Sequence, residues 1–596
     1  MYSNLHQYLD TLRKEQELLE ISVPVSSDLE IAEIHRRAIA QGGPALLFRN
    51  VIGAKFPLVT NLFGTQRRVE LAFGLKPKRF IESLVDVAKG PVPPRLSTLW
   101  KERRSLAPML KLGMKRTRRA PILESQQTPS RLSSLPLLKT WKDDGGHFIT
   151  LPLVLTADPE THQTNLGMYR IQRYDDETTG LHCQIGKGGG YHLARAKELN
   201  TKLPVHIAIG GPPALILSAI APLPENVPEL VLCSLLMNQK VSLVQERENS
   251  LPLLGEADFI LAGEVDPNEM RPEGPFGDHY GYYSLQHDYP VFRCKRLYHR
   301  KNAICAATVV GKPRQEDFFL GDFLQELLSP LFPLVMPTVS DLWSYGETGY
   351  HSLSAAVVKQ RYKREAMVSA FRILGEGQLS LTKFLLLVDK EQDLRDFRSV
   401  LEYVLARVDL RTDLYVFSNL SMDTLDYTGP SVNEGSKGVL LGVGDPIREL
   451  PKVFSGELPR YLTHAKPFCR GCLVLQGQSF TNDPSLAKRA SQEDVFREWP
   501  LVILSDEAER SVSSEMAFLW TTFTRFEPGA DISSRSQTIY RNHLSYEGPL
   551  VIDARMKPNY PEELFCDETT SQLVDQRWNE YFGDNPFKLT PEAGGL

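Results

Sequence analysis

Lys383-Phe384-Leu385-Leu386-Leu387-Val388 carries one charge at its start and nothing polar after it. An apolar run this short and unbroken is a strand covered on both faces, the usual state of a strand inside a parallel sheet. Helical spacing follows over residues 394–408, and Leu414-Tyr415-Val416-Phe417 is a second strand. Residues 383–417 therefore predict a βαβ unit, which makes this part of the chain α/β.

Upstream, between about 148 and 310, the pattern changes. Apolar runs become short, β-rich and broken by glycine, as in Val241-Ser242-Leu243-Val244, Phe259-Ile260-Leu261 and Ala306-Ala307-Thr308-Val309-Val310. That texture predicts a barrel or sandwich. At the N-terminus, Leu5, Leu9 and Leu12, then Leu18 and Leu19, have near-helical spacing, and residues 21–25 read as a strand. Ser27 and Glu30 fit a capping box for a helix over 29–40 that stops at Gly42-Gly43, and strands follow at 45–48 and 57–60. From 90 to 134, prolines 92, 94 and 95 and a crowd of basic residues (Arg103, Arg104, Lys111, Lys115, Arg116, Arg118, Arg119) predict a solvated connector or a basic surface. Residues beyond Pro467 read as an appended region of uncertain architecture, and no internal repeat stands out.

A chain of 596 residues is too long for one core. The divisions expected are 1–130 (an N-terminal α/β domain with the basic connector), 131–325, 326–466 (a C-terminal α/β domain with parallel strands) and 467–596. A net charge of -5 argues against a general nucleic-acid binder. Seven scattered cysteines fit a reducing cytoplasm, and Cys469-Arg470-Gly471-Cys472 is a lone C-x-x-C without the second pair that zinc needs. The longest uncharged stretch, 207–223, is broken by Gly210-Gly211-Pro212-Pro213 and Pro222, so it reads as buried elements joined by a turn, and no transmembrane segment is expected.

Chemistry concentrates in Arg271-Pro272-Glu273-Gly274-Pro275-Phe276-Gly277-Asp278-His279-Tyr280-Gly281-Tyr282-Tyr283. Three glycines and two prolines make a stiff loop, which can hold two carboxylates at the fixed distances proton transfer requires. A surface turn whose acids only cap backbone is the competing reading. In Asn165-Leu166-Gly167-Met168-Tyr169-Arg170, Asn165 offers an oxygen to a hard cation and Arg170 can grip a carboxylate or phosphate with two bonds. His182-Cys183-Gln184-Ile185-Gly186-Lys187-Gly188-Gly189-Gly190 could be a phosphate cradle or a flexible hairpin tip, and it matches no established phosphate-loop pattern.

Taken in this order, the clusters resemble the UbiD decarboxylase family, from Gly42-Gly43-Pro44-Ala45-Leu46-Leu47-Phe48 and Asn61-Leu62-Phe63-Gly64-Thr65 to about Gly438. The resemblance implies a central split β-barrel, flavin-reductase-like, that binds prenylated FMN. It implies non-oxidative decarboxylation of an aromatic acid through a covalent adduct with that cofactor. Asp278 stands at the family's proton donor, Glu273 at the second acid, and Arg170 at the residue that orients both. Met168, Tyr169, Arg170, His182, Cys183, Gln184, Lys187 and Gly188 match flavin-contacting segments, and Lys383 a phosphate partner. Asn165 and Glu229 match ligands of a divalent metal, usually manganese, with K+ as a second ion. Gly186 stands where the family usually places a histidine ligand.

Length and the His182-x-Gln184-Ile185-x-Lys187 segment look closer to the branch of futalosine-type menaquinone synthesis. The substrate implied is a 1,4-dihydroxy-6-naphthoate-type acid, with a 3-polyprenyl-4-hydroxybenzoate of ubiquinone synthesis as the alternative. A flavin prenyltransferase would supply the cofactor. A homo-oligomer is expected, cytoplasmic or peripherally membrane-associated, without nucleic acid. From another class, a flavin-binding or scaffold protein without activity is favoured only by Gly186.

Overall fold

A computed structural model gives the fold and describes residues 2–89, 97, 100, 103, 111–183, 188–223, 227–246, 250–312, 314–583 and 587–591. The chain divides into two compact units, Met1–Leu327 with Glu562–Leu596, and Leu328–Pro561.

In the first unit, the N-terminal element is a four-stranded sheet in the order Leu18–Ile21, Ala45–Phe48, Leu58–Thr60, Cys305–Ala306. The helix Leu5–Lys14 buries Leu5, Leu9 and Leu12, the stripe its spacing predicts. Leu18 and Leu19 do not continue the helical spacing but open the strand Leu18–Ile21, so the strand expected at 21–25 is shifted, and Val25 makes only an isolated bridge to Val51. The expected capping box at Ser27 does not form. Leu29 is the N-cap residue of the helix Glu30–Ala40, and Glu30 instead reaches back to accept from the Ser26 N–H at 2.7 Å.

The central element is a nine-stranded antiparallel sheet. Its order is Phe148–Ile149, Ile171–Arg173, Thr178–Leu181, His287–His299, Phe259–Glu273, Leu203–Ile209, Leu153–Ala157, Thr164–Gly167, with Ser125–Gln127 beside His287–His299. The two longest strands pair along most of their length, with register shifts at 262/263 and 265/270 that bend the sheet. Residues 207–223 form the end of one strand, a turn at Gly210 and Gly211 with φ of 77° and 89°, and the buried helix Pro213–Ile220. The helix Glu568–Phe582 closes this unit by packing on Glu30–Ala40, where Arg37 bonds Asp575 at 2.5 Å.

The second unit corrects two expectations. First, Phe384–Val388 is a central strand, but its parallel neighbours are Leu353–Val358 and Glu434–Gly442. Leu414–Ser421 is an edge strand that runs antiparallel to Glu434–Gly442, so the βαβ unit expected over 383–417 is not formed. Its outer half is exposed, as befits an edge. Second, the region beyond 467 is neither an appendage nor a separate piece. The boundary expected at 466 falls inside the strand Leu462–Cys469, which opens another five-stranded sheet.

The two sheets of this unit are built alike. One runs Val339–Ser344, Leu353–Val358, Phe384–Val388, Glu434–Gly442, Leu414–Ser421, and the other Leu462–Cys469, Cys472–Gly477, Leu501–Ser505, His543–Asp553, Ile532–Tyr540. In each, the first and last pairings are antiparallel and the two between are parallel. They share one core, in which Phe384 and Phe397 meet Phe468, Phe518, Phe523 and Phe526. The second sheet repeats the topology of the first, although no sequence repeat announces it.

Cys469 and Cys472 sit opposite each other in a hairpin, and all seven cysteines are free thiols. Among the described residues, 316–335 is one helical stretch long and apolar enough, by length and composition, to cross a membrane. It is interrupted at Ser329–Leu331, and its first residue, Glu316, is buried against the N–H groups of Asn61 and Phe63.

Candidate active site

Glu273 ends the fifteen-residue strand Phe259–Glu273, where the backbone leaves the sheet through Gly274 (φ 91°) and a cis Gly274–Pro275 bond. Phe276–Gly277 then pairs with Tyr283–Ser284, and between them a tight turn closes with Gly281 N donating to Asp278 O at 2.9 Å. A long strand and a pinned turn thus present Glu273 and Asp278 five residues apart. Arg170 enters from the link between Thr164–Gly167 and Ile171–Arg173.

The guanidinium of Arg170 joins the two acids. It donates from Nε and Nη2 to the two oxygens of Glu273, both at 2.8 Å, from Nη1 to Asp278 Oδ2 at 2.5 Å, and from Nη2 to Ser284 Oγ at 2.9 Å. The Phe276 ring lies 5.0 Å from Arg170 Cζ. The Glu273 side chain is wholly shielded, while that of Asp278 keeps 12% exposure, so Asp278 is the acid more open to solvent. His182 Nδ1 lies 3.2 Å from Glu273 Oε2, and its ring packs on Tyr289.

These contacts set the charges. Burial opposes ionisation of Glu273, but the Arg170 guanidinium overrides it and holds the carboxyl down at about 2. Asp278 is likewise held well below the usual carboxylate range. Burial is overcome there by the His279 ring, 2.6 Å from Oδ1, and by Arg170. Arg170 is pushed up despite its own burial, and burial together with Arg170 drives His182 toward the neutral form. At neutral pH the Arg170 guanidinium sits between two carboxylates, with the His279 ring against the outer one.

A further set of groups, none singled out by sequence reasoning, fixes the loop. Asp144 accepts from Gly277 N at 2.8 Å and from Thr140 and Trp141, and the Gln172 side chain bridges Gly145 O and Gly274 N at 2.8 Å each. A Cβ at Gly277 would lie 2.1 Å from Trp141 Cδ1, which explains that glycine. The chain's last segment adds two backbone bonds, Tyr283 N to Glu562 O at 3.0 Å and Leu564 N to Gly281 O at 3.0 Å, and Lys312 pairs with Glu563. No local pattern in the sequence could signal a brace arriving from so far along the chain.

The second cluster forms around Asn165. Gly188 approaches so closely that a Cβ would lie 2.0 Å from Asn165 Oδ1, and Gly189 N donates to Tyr169 OH at 3.1 Å. Gly188-Gly189-Gly190 opens an eleven-residue helix, Gly188–Glu198, whose N-terminus suits a phosphate. Asn165 Nδ2 is buried without a partner among the described residues. Glu229, at the start of the helix Glu229–Met237, accepts from Leu166 N at 3.0 Å, and burial raises its pKa. These groups fit a phosphate-bearing cofactor. Asn165 and Glu229 are also two hard oxygen donors suited to Mn2+ or Mg2+. No group of three His, Cys, Asp or Glu able to hold a metal occurs among the described residues.

The other expected cofactor residues divide. Tyr169 and Cys183 are buried beside Gly189, Met168 is half-buried, and burial pushes the Cys183 thiol up to about 12, which suits packing rather than nucleophilic work. Gln184 and Lys187, with Gly186, lie outside the described residues. Lys383 belongs to the other unit, where it pairs with Asp426 at 2.7 Å and is almost wholly buried.

Comparison with known proteins places this geometry. Three domains described for 3-octaprenyl-4-hydroxybenzoate carboxy-lyase match in order: the N-terminal domain at 9–88, the Rift-related domain at 114–313 and the C-terminal domain at 318–442. The last match takes in all five strands of the first of the two like-built sheets and ends with it at Gly442. A Chlamydia pneumoniae protein named as a subunit of 4-hydroxybenzoate decarboxylase is 50% identical over 582 residues, 97% of this chain and 98% of that one. The vanillic acid decarboxylase of Sedimentibacter hydroxybenzoicus, in its closed form, superposes with a TM-score of 0.67 at 24% identity, covering 77% of this chain and 96% of that one. The UbiD-class enzyme HmfF from Pelotomaculum thermopropionicum, in complex with FMN, gives 0.62 at 21%, covering 74% and 94%. At such identities the structures speak for the fold, and the close relative and the three domain matches for the lineage: this chain belongs to the UbiD family of carboxy-lyases.

Proposed function

We propose that this chain decarboxylates an aromatic acid with bound prenylated FMN, and that Asp278 returns the proton to the ring carbon. The observation that carries the reading is one buried guanidinium shared between two carboxylates, bidentate to Glu273 and single to Asp278. Loss of carbon dioxide leaves an electron pair on carbon, and the flavin, when bound, supplies the sink for it. Arg170 keeps the two acids at fixed separation and gives up no proton itself. Glu273, fully enclosed, anchors the guanidinium, and Asp278, at the partly open end, is the acid free to meet a substrate carbon. His182, neutral and bonded to Glu273, completes the wall.

The helix opening at Gly188 would take the cofactor phosphate, and Met168, Tyr169 and Cys183 would contact the flavin, with Gln184 and Lys187 assigned to the cofactor by the family resemblance. Asn165 and Glu229 would hold Mn2+, with K+ as a second ion. A dihydroxynaphthoate-type acid of menaquinone synthesis is the preferred substrate. A 4-hydroxybenzoate, plain or polyprenylated, is the second reading, favoured by the name of the Chlamydia pneumoniae relative. The working protein would be a cytoplasmic homo-oligomer, charged by a flavin prenyltransferase, with peripheral membrane contact where the substrate is prenylated.

Asp278→Asn tests the reading. The variant should retain the cofactor, seen by absorbance and mass, and lose turnover on both acids. An active Asp278→Asn protein would overturn it, and parallel assays of the two acids with native protein decide the substrate.

A further inference from the structure

Asp278 poses a problem for its own role. Bonded to Arg170 through Oδ2 and to His279 through Oδ1, it rests as a carboxylate, and a carboxylate has no proton to give. It must therefore be recharged once per turnover. Of the two side chains bonded to its oxygens, Arg170 holds its protons at any working pH, whereas an imidazolium releases one near neutrality.

Geometry fits His279 for the task. Its Nδ1 lies 2.6 Å from Asp278 Oδ1, its own backbone N–H donates to the same oxygen at 2.7 Å, and its ring sits edge-on to Tyr280 with centroids 5.2 Å apart. The His279 side chain is 28% exposed against 12% for Asp278, so the ring reaches from solvent to the enclosed acid. A further carboxylate faces it. Asp317, in the first turn of Glu316–Leu328, has both oxygens shielded from solvent; burial raises its pKa to about 6, and the field of His279 pulls it back. His279 thus lies in the field of two carboxylates, which favour its charged form, with Arg170 opposing from beyond Asp278.

We propose that His279 is the proton relay of this site. The step balances: the Asp278 O–H bond breaks as the substrate C–H bond forms, then the His279 Nδ1–H bond breaks as the Asp278 O–H bond is remade. The neutral ring recovers its proton from solvent, with Asp317 steadying the imidazolium. His279 acts through Asp278 and is a positioning and relay group. The proposal rests on the reading of Asp278 as the acid.

His279→Gln keeps an N–H donor toward Asp278 but cannot titrate. It should bind the cofactor normally, lower kcat by about 100-fold or more with little change in KM, and lose one limb of the native pH profile. His279→Ala should be slow and regain turnover with added imidazole, which a purely structural role would not permit. In cofactor-free protein, NMR titration of the His279 ring should move to lower pH in Asp278→Asn and in Asp317→Asn, since each removes a negative neighbour. A His279→Gln enzyme within about threefold of native kcat and with the native pH profile would overturn the relay. So would His279→Ala that imidazole fails to rescue beside an active His279→Gln. Activity in Asp278→Asn would instead remove the underlying acid assignment, a separately visible result.

Discussion

Replacing Glu273 by glutamine should cost the first unit about 3 kcal/mol at neutral pH. The figure follows from the charge on a side chain with no exposure, held down at about 2 against an ordinary 4.5 by its two bonds from Arg170. At about 1.4 kcal/mol per pH unit, that depression is worth roughly 3 kcal/mol. Breaking one side of a buried ion pair costs about 3–5 kcal/mol by an independent route. The sign is fixed because the folded pKa is the lower one. The stabilisation is complete above about 4.5 and fades as pH falls toward about 2, so at pH 3 the native–variant gap should shrink to less than half its neutral value. Urea unfolding at pH 7, followed by a probe in the first unit, should show the midpoint of Glu273→Gln lower by about 1 M. Equal midpoints at pH 7, or a gap that persists unchanged at pH 3, would refute the claim that Arg170 and Glu273 are a charged pair at rest.

Arg170→Lys keeps a positive charge but cannot span Glu273, Asp278 and Ser284 together, so kcat should drop about 100-fold while absorbance shows cofactor still bound. Gly277→Ala drives a methyl into Trp141, and unfolding should report a loss of about 1–3 kcal/mol together with a lower kcat, because the displaced loop carries Asp278. Phe518→Ala opens the core shared by the two like-built sheets, where its ring stacks on Phe468 at 3.6 Å and 5°. It should lower the stability of the second unit by about 3–5 kcal/mol, measured by hydrogen exchange in Phe384–Val388 and Leu501–Ser505, with exchange in the first unit unchanged.

Much of the site could be read from residue types. Glycine and proline around Glu273 and Asp278 signal a constrained loop, because their backbone limits are local properties. An arginine just beyond a glycine in 165–170 is a natural carboxylate partner, and the fold brings the three side chains together. The braces were not legible. Asp144, Gln172 and the 562–564 segment act through hydrogen bonds whose donors and acceptors every chain possesses, and only the path of the backbone decides which meet. Ser284 is an ordinary strand serine until Arg170 arrives beside it.

The same division runs through the fold. Sequence alone determined that 384–388 is a strand covered on both faces, that 207–223 is broken at its glycines, and that Leu5, Leu9 and Leu12 share one face of a helix, though not where that helix ends. Periodicity and backbone limits act within a few residues. Tertiary structure alone decided that Leu414–Ser421 turns antiparallel at an edge, and that a second sheet repeats the first. It also decided that the C-terminal helix returns to the first unit. Apolar patterning says which faces must be buried but not against what. Register, direction and partner follow from competition among distant segments for the same surfaces, and that competition is settled only when the whole chain packs.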